Sequence, residues 1–330
     1  PPPPPPPPPP PSQFMRRWCP RFHASKGTDP SGVLAVDGEF FLFPDGSDDD
    51  LRIPPHHYAT KDLLRWKRYP MGWGSDTGSI TVTTAGTFRF WPQGGLAGPI
   101  ARAALLGDDR TLSNWGPATT VVPIPKMKDG HIVANFRDPS RAVQLADGHW
   151  YMAVGSDTGD SAQRNTSNPA GFAQDGTAAL RLFRASDDSL MNWTSVGVPW
   201  VQQRTQGWVN YTLAEWNATG VEPPPFLECP DLYRVGETVV LISSYNDFGQ
   251  AASQGPPFSP PAGFADGQSA EWRTGALVPD SSQGARKLDL KFVSKHEGVL
   301  DYGLLYAQKT AGDALKPNEG RRVLFGFTGW

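Results

Sequence analysis

The sequence predicts an all-β chain of propeller type, and three observations carry that expectation. A turn containing Gly followed by an aromatic or β-branched run recurs in VDGEFFLF (36–43), ADGHWYMAVG (146–155) and RVGETVVLIS (234–243). A second element recurs in TKDLLRW (60–66), DDRTLSNW (108–115) and SDDSLMNW (186–193), where an acid and a Leu precede Trp66, Trp115 and Trp193. Helical periodicity is scarce, and 35 Gly with 35 Pro suit many short strands joined by turns. Units of about forty to fifty residues with four strands each are the mark of a β-propeller.

Each of the three runs reads as a tight turn feeding a buried strand. Their spacing is irregular, so insertions are expected. The stretches 156–180 and 245–285 are rich in Gly, Ser, Pro, Gln and Asp and read as long loops. Pro1 to Pro11 is a polyproline II segment, a stiff tail or linker, or else an SH3/WW-type ligand. Residues 12–330 then form the folded domain. His56 and His57 are adjacent, so on a strand their side chains point to opposite faces, and both read as turn or surface histidines.

A net charge of −3 over 330 residues gives no reason to expect nucleic acid or an anionic membrane as partner. No stretch is long and apolar enough to span a bilayer. Cys19 and Cys229 are too few for a disulfide framework, though they could pair. There is no dinucleotide fingerprint, phosphate-binding loop or zinc spacing, so neither a cofactor nor a metal is expected. Sequons at Asn165, Asn192, Asn210 and Asn217 tilt the expectation toward a secreted, vacuolar or luminal protein. The chain lacks an initiator Met, and the true start is expected upstream.

Three carboxylate motifs stand in a fixed order: TDPSG around Asp29, FRDP around Asp138 and ECPD around Glu228. Each sets an acid close to a Pro, which restricts the local backbone. Taken singly, Asp29 and Asp138 read as turn acids and Glu228 as an edge-strand acid. Brought to one place by the fold, they make a site with the chemistry of glycoside hydrolysis.

The flanks of these motifs resemble glycoside hydrolase family 32, the invertase and fructanase family. RFHASKGTDPSGVLAVDGEFFLF (21–43) resembles its opening, where the motif is usually NDPNG. NFRDP (135–139), with the strand ending MAVGS (152–156), looks like its second motif, and LECPDLYRV (227–235) like its third. DYGLLYAQKT (301–310) and GRRVLFGFTGW (320–330) resemble its last propeller blade. The resemblance implies a five-bladed propeller with the acids at one end of the central channel. The β-sandwich that usually follows is apparently missing or truncated.

It further implies a retaining hydrolase of β-fructofuranosidic bonds in sucrose or fructans, acting through a fructosyl-enzyme intermediate. Asp29 would be the nucleophile, Glu228 the acid/base and Asp138 the transition-state stabiliser. Arg137, Thr28, Ser79 and Cys229 would contact the sugar. Neighbouring negative charge and burial would raise the pKa of Glu228. A fructosyltransferase would use the same acids. A carbohydrate-binding propeller without catalysis is the reading from another class.

The chain departs from the family pattern near the sugar. Thr28 and Ser31 replace two Asn, Pro44 and Asp45 stand where a Gln is usual, and Pro55, Asp76 and Leu227 stand where aromatics are usual. Trp73 or Trp91 could replace a lost aromatic, although blade core is the plainer reading of both. Asp231 reads as structural, and Cys229 as a small buried residue rather than a nucleophile. The acids identify the chemistry better than they identify the sugar.

Overall fold

A computed structural model describes residues 29–44, 56–70, 77–94, 98–126, 133, 135–157, 164–165, 174–175, 178–201, 226–246, 268–282, 288–301, 306–312 and 322–327. Among them there are strands and turns and no helix. The first sheet is β1 (Pro30–Val36), β2 (Glu39–Pro44), β3 (His56–Thr60) and β4 (Lys67–Pro70), antiparallel in sequence order. The second repeats that plan with β5 (Ser79–Thr83), β6 (Gly86–Pro92), β7 (Ile100–Ala104) and β8 (Thr119–Val122).

The third sheet follows the same plan with its outer strands broken. β9 (Phe136–Arg137) and β10 (Val143–Gln144) both pair β11 (Trp150–Asp157), so they are one first strand interrupted at 138–142. A small hairpin follows, β12 (Arg164–Asn165) with β13 (Gln174–Asp175), and then β14 (Ala178–Ala185). β15 (Thr194–Ser195) and β16 (Trp200–Val201) both pair β14 and form a broken fourth strand. The fourth sheet is β17 (Phe226–Val235), β18 (Thr238–Asn246), β19 (Gln268–Pro279) and β20 (Leu290–Asp301). A two-stranded sheet, β21 (Tyr306–Ala311) and β22 (Val323–Phe327), comes last.

The sheets follow one another around a ring. β1 packs on β5, β6 on β9, β11 on β17, β17 on β21, and β21 back on β1. Period-two alternation explains why each sheet can bury two faces. On β11, Met152 and Val154 join the core shared with the second sheet. Tyr151 and Ala153, one residue out of phase, join the core shared with the fourth. On β1, Leu34 faces the second sheet while Val33 and Ala35 face Ala311. This is an all-β propeller arrangement.

Both repeats seen in the sequence have a structural job. The Gly turns at Gly38 (φ 75°), Gly148 (φ 78°) and Gly236 (φ 58°) join the first strand of a sheet to its second. The acid–Leu–Trp element joins the third strand to the fourth. Its Leu takes left-handed backbone each time, at Leu63 (φ 62°), Leu112 (φ 56°) and Leu190 (φ 53°). Asp62, Asp109 and Asp187 accept backbone N–H groups of the turn. Trp115 Nε1 donates to the Leu112 carbonyl at 2.8 Å and Trp193 Nε1 to the Leu190 carbonyl at 3.0 Å. The short side-chain hydrogen bonds and the indole clamp compensate for a conformation that a branched residue otherwise avoids.

Two expectations need correction. The stretches read as loops contain strands: β12 and β13 lie within 156–180, and β19 lies within 245–285. β19 hid because polar residues fill its inward positions, with Glu271 and Arg273 buried and paired at 3.0 Å. His57 is not a turn or surface residue. It does point away from His56, but into the core of the first sheet, stacked on Phe43 with ring centroids 4.5 Å apart. Its Nε2 donates to the Thr111 carbonyl at 2.5 Å. Burial pulls its pKa down to about 4, so the ring is neutral.

Candidate active site

The predicted acids all sit at the starts of first strands. Asp29 immediately precedes β1, Asp138 follows Arg137 where β9 breaks off, and Glu228 is the third residue of β17. Two of these strands and the neighbouring β21 slip register here: β1 between Pro30 and Gly32, β17 between Glu228 and Asp231, and β21 between Tyr306 and Lys309. Such bulges turn side chains out of the alternating pattern and aim them at a common point. The backbone is strained at the same places, with φ of 55° at Asp138, 49° at Cys229 and 54° at Ala307.

Specific hydrogen bonds hold these bends. Cys229 N–H donates to Asp138 Oδ2 at 3.2 Å. Ala307 N–H donates to Ser244 Oγ at 3.0 Å, and Lys309 Nζ donates to the Pro230 carbonyl at 2.7 Å. At the start of β1, Gly78 N–H is shared between the Ser31 carbonyl at 3.0 Å and Ser31 Oγ at 3.1 Å. Close approach matters too. A Cβ on Gly155 of β11 would lie 2.6 Å from the Leu227 carbonyl, so only glycine lets the third and fourth sheets meet beside the acids.

The three acids converge around Cys229. Its thiol lies 3.5 Å from Asp29 Oδ2 and 3.7 Å from Asp138 Oδ2, and its chain neighbour is Glu228. The Glu228 carboxylate pairs with Arg137 and accepts the Tyr306 hydroxyl. Arg137 Nε is also 3.7 Å from Asp138 Oδ2. The Asp138 and Glu228 side chains are each 7% exposed, so little water screens the cluster.

Asp231 anchors the seam behind these groups. Arg141 donates to it at 3.1 Å, Thr310 N–H at 2.8 Å and Thr310 Oγ1 at 2.5 Å. That is the arrangement of a fixed structural carboxylate.

Burial and then the Asp138 carboxylate push the Asp29 carboxyl up from 3.8 to about 6. The Cys229 S–H, the Lys309 ammonium and the Arg137 guanidinium act in the opposite direction. Burial and the surrounding acids push the Cys229 thiol well above its ordinary range, so it is a protonated donor and no nucleophile. The raised carboxyl at Asp29 was not among the expectations from sequence.

Of the expected sugar contacts, Arg137 and Cys229 are in the cluster. Ser79 is buried, and its hydroxyl donates to the Ser140 carbonyl at 2.8 Å, a bond between the second and third sheets. Thr28 lies outside the described residues, as do Pro55, Trp73 and Asp76. Leu227 is fully buried between the third and fourth sheets. Trp91 lies beneath the Arg89 guanidinium, 4.4 Å from its ring centroid. Cys229 is a free thiol. Among the described residues, no group of three His, Cys, Asp or Glu is placed to hold a metal ion.

Sequence reasoning missed two site residues, Tyr306 and Lys309. Both lie in the DYGLLYAQKT segment, which was legible as a strand. A Tyr and a Lys on a strand carry no motif of their own, and the bulge that turns them inward has no signature in the sequence.

No family model matches the chain. It is 25% identical to a sucrose-6-phosphate hydrolase of Salmonella typhimurium, over 94% of this chain and 58% of the relative. It is 24% identical to a fructan 1-exohydrolase of Hordeum vulgare, over 91% of this chain and 45% of the relative. A solved glycoside hydrolase family 32 structure from Bifidobacterium adolescentis superposes with a TM-score of 0.59 at 18% identity, covering 92% of this chain and 52% of that one.

The chain is similar to enzymes of glycoside hydrolase family 32.

It spans about half the length of the family 32 relatives it matches.

Proposed function

We propose that this family 32 relative is a retaining glycoside hydrolase cleaving β-fructofuranosidic bonds in sucrose or fructans. One observation carries the reading: Cys229 touches Asp29 and Asp138 and adjoins Glu228, so three acids two hundred residues apart share one desolvated site. A retaining glycosidase uses one carboxylate to attack the anomeric carbon and a second group to protonate the leaving oxygen. Asp29 takes the first role and Glu228 the second. Arg137 and Tyr306 fix the Glu228 carboxyl against rotation. Asp138 accepts hydrogen bonds from sugar hydroxyls, most strongly as the ring approaches an oxocarbenium ion.

The matched relatives act on sucrose 6-phosphate and fructan, which supports a fructoside as substrate here. We also infer five blades, with β21 and β22 belonging to the fifth, because β21 packs between β1 and β17. A secreted or vacuolar location fits the sequon at Asn192, which is exposed on the connection before β15.

Incubation of purified protein with sucrose, inulin and levan, followed by chromatography of the products, tests the reading. Release of free fructose is expected. Asp29→Asn, Asp138→Asn and Glu228→Gln should each abolish most of it. Wild-type turnover by Glu228→Gln would remove that residue from the acid/base role. Growth of longer oligosaccharides at high sucrose would instead mark a transferase.

A further inference from the structure

We propose that Lys309 is a positioning residue for the site, holding the β17 bulge in place and keeping the Asp29 carboxyl in its ionised form. This rests on the role proposed above for Asp29.

Lys is almost never fully buried unless something compensates its charge. Lys309 is 2% exposed and among the largest fully buried side chains described. Its ammonium donates to a neutral acceptor, the Pro230 carbonyl, at 2.7 Å. A neutral carbonyl alone does not offset the desolvation of an ammonium. The offset has to come from the acids around it.

Those acids belong to the site. From β1 comes Asp29, from the end of β9 come Arg137 and Asp138, and from β17 come Glu228, Cys229 and Asp231, the last held by Arg141. β21 itself adds Tyr306. β5 contributes Ser79 and β18 Ser244, neither of them charged. β19 brings Glu271 and Arg273, which pair with each other. β22, Val323–Phe327, has no charged residue. Arg322, directly before β22, faces Asp231 and Arg141, so four carboxylates share four cations, Arg137, Arg141, Arg322 and Lys309. Arg137 is engaged with Glu228 and Asp138, and Arg141 with Asp231. Asp29 is left with Lys309 as its principal cationic counterweight.

The Pro230 contact adds the geometric half. Pro230 lies inside the bulge that gives Cys229 its φ of 49° and points its N–H at Asp138. Lys309 pins that carbonyl from the neighbouring sheet. It therefore fixes the backbone that places Cys229 and Glu228, and it brings positive charge to the same spot.

Three substitutions separate the two jobs. Lys309→Arg keeps charge, Lys309→Gln keeps a donor for the Pro230 carbonyl without charge, and Lys309→Met keeps neither. The readouts are the pH dependence of kcat/KM on sucrose and the titration of the Asp29 carboxyl by carbon-13 NMR without substrate, assigned with Asp29→Asn. Lys309→Gln and Lys309→Met should move the acid limb and the NMR midpoint upward by about one pH unit, making kcat/KM at pH 5 about tenfold lower relative to its plateau. Lys309→Arg should restore both. Lys309→Met alone should also lower the plateau.

An Asp29 midpoint unchanged in Lys309→Gln overturns the proposal. The NMR arm needs no turnover, so an inactive protein whose Asp29 midpoint moves would overturn the fructosidase reading and leave this one standing. Should the variants not fold, the wild-type carries the test. The Lys309 side-chain signals must then shift with the Asp29 midpoint, and their failure to do so overturns the proposal.

Discussion

The Cys229 thiol reaches Asp29 Oδ2 at 3.5 Å across the seam between β17 and β1, joining residues 200 positions apart in the chain. The thiol is protonated, so it donates, and a donor favours the ionised carboxyl. Asp29 at about 6 is therefore already the partly corrected value. In the proposed hydrolase, the acid limb of kcat/KM should fall near pH 6. Cys229→Ala should move that limb upward and Cys229→Ser should largely return it. A pH series of initial rates checks both, and a limb that ignores Cys229→Ala removes the thiol from this role.

Tyr306 hydrogen-bonds the Glu228 carboxyl and, in the proposed mechanism, acts only through it. Glu228→Gln should lower kcat by at least about a hundredfold, the usual worth of a general acid. Tyr306→Phe should cost about tenfold, because the Arg137 pair still restrains the carboxyl. Equal losses in the two variants would show that the phenol is itself part of the chemistry.

Two desolvated groups give the fold opposing pH responses. His57 is held down at about 4 from 6.5, so its contribution is fully present above pH 6.5 and is lost as pH falls toward 4. Asp29 is pushed up to about 6 from 3.8, so its contribution is fully present below pH 3.8 and is lost as pH rises through 6. Between pH 4 and 6 the two slopes have opposite sign and largely offset. Urea unfolding should therefore show a shallow wild-type profile there. His57→Gln should gain stability on acidification through this window and Asp29→Asn should lose it. Parallel profiles for the two variants would refute the assignment.

Gly155→Ala should separate the third and fourth sheets. The new methyl meets the Leu227 carbonyl, which is backbone and cannot swing away. A loss of about 1–3 kcal/mol is expected in urea unfolding, the range for overpacking. Turnover should fall as well, because Glu228 follows Leu227 directly.

Legibility from sequence divided along physical lines. The first-to-second strand turns could be read because Gly at positive φ leaves a mark, and the acid–Leu–Trp element because an Asp-capped turn and an indole clamp need fixed residue types. β19 could not be read, since its buried Glu271 and Arg273 satisfy each other instead of presenting an apolar face. His57 looked like a surface residue because nothing local announces the stack with Phe43 or the acceptor at Thr111. At the site the acids were legible through short Pro-containing motifs. Lys309 and Tyr306 were not, because a bulge and a neighbouring sheet, both set by tertiary packing, give them their roles.

The ring order has a consequence in time. β21 docks between β1 and β17 and supplies Tyr306 and Lys309. Asp29 lies near the beginning of the described chain and these two near its end, so the centre is a long-range closure that no shorter segment can preassemble. Until that last wedge seats, the partial ring holds its acids without the ammonium and phenol that tame them. Competence for chemistry would then arrive in a single late step, and a ligand of the finished site would act as a latch on the closed circle.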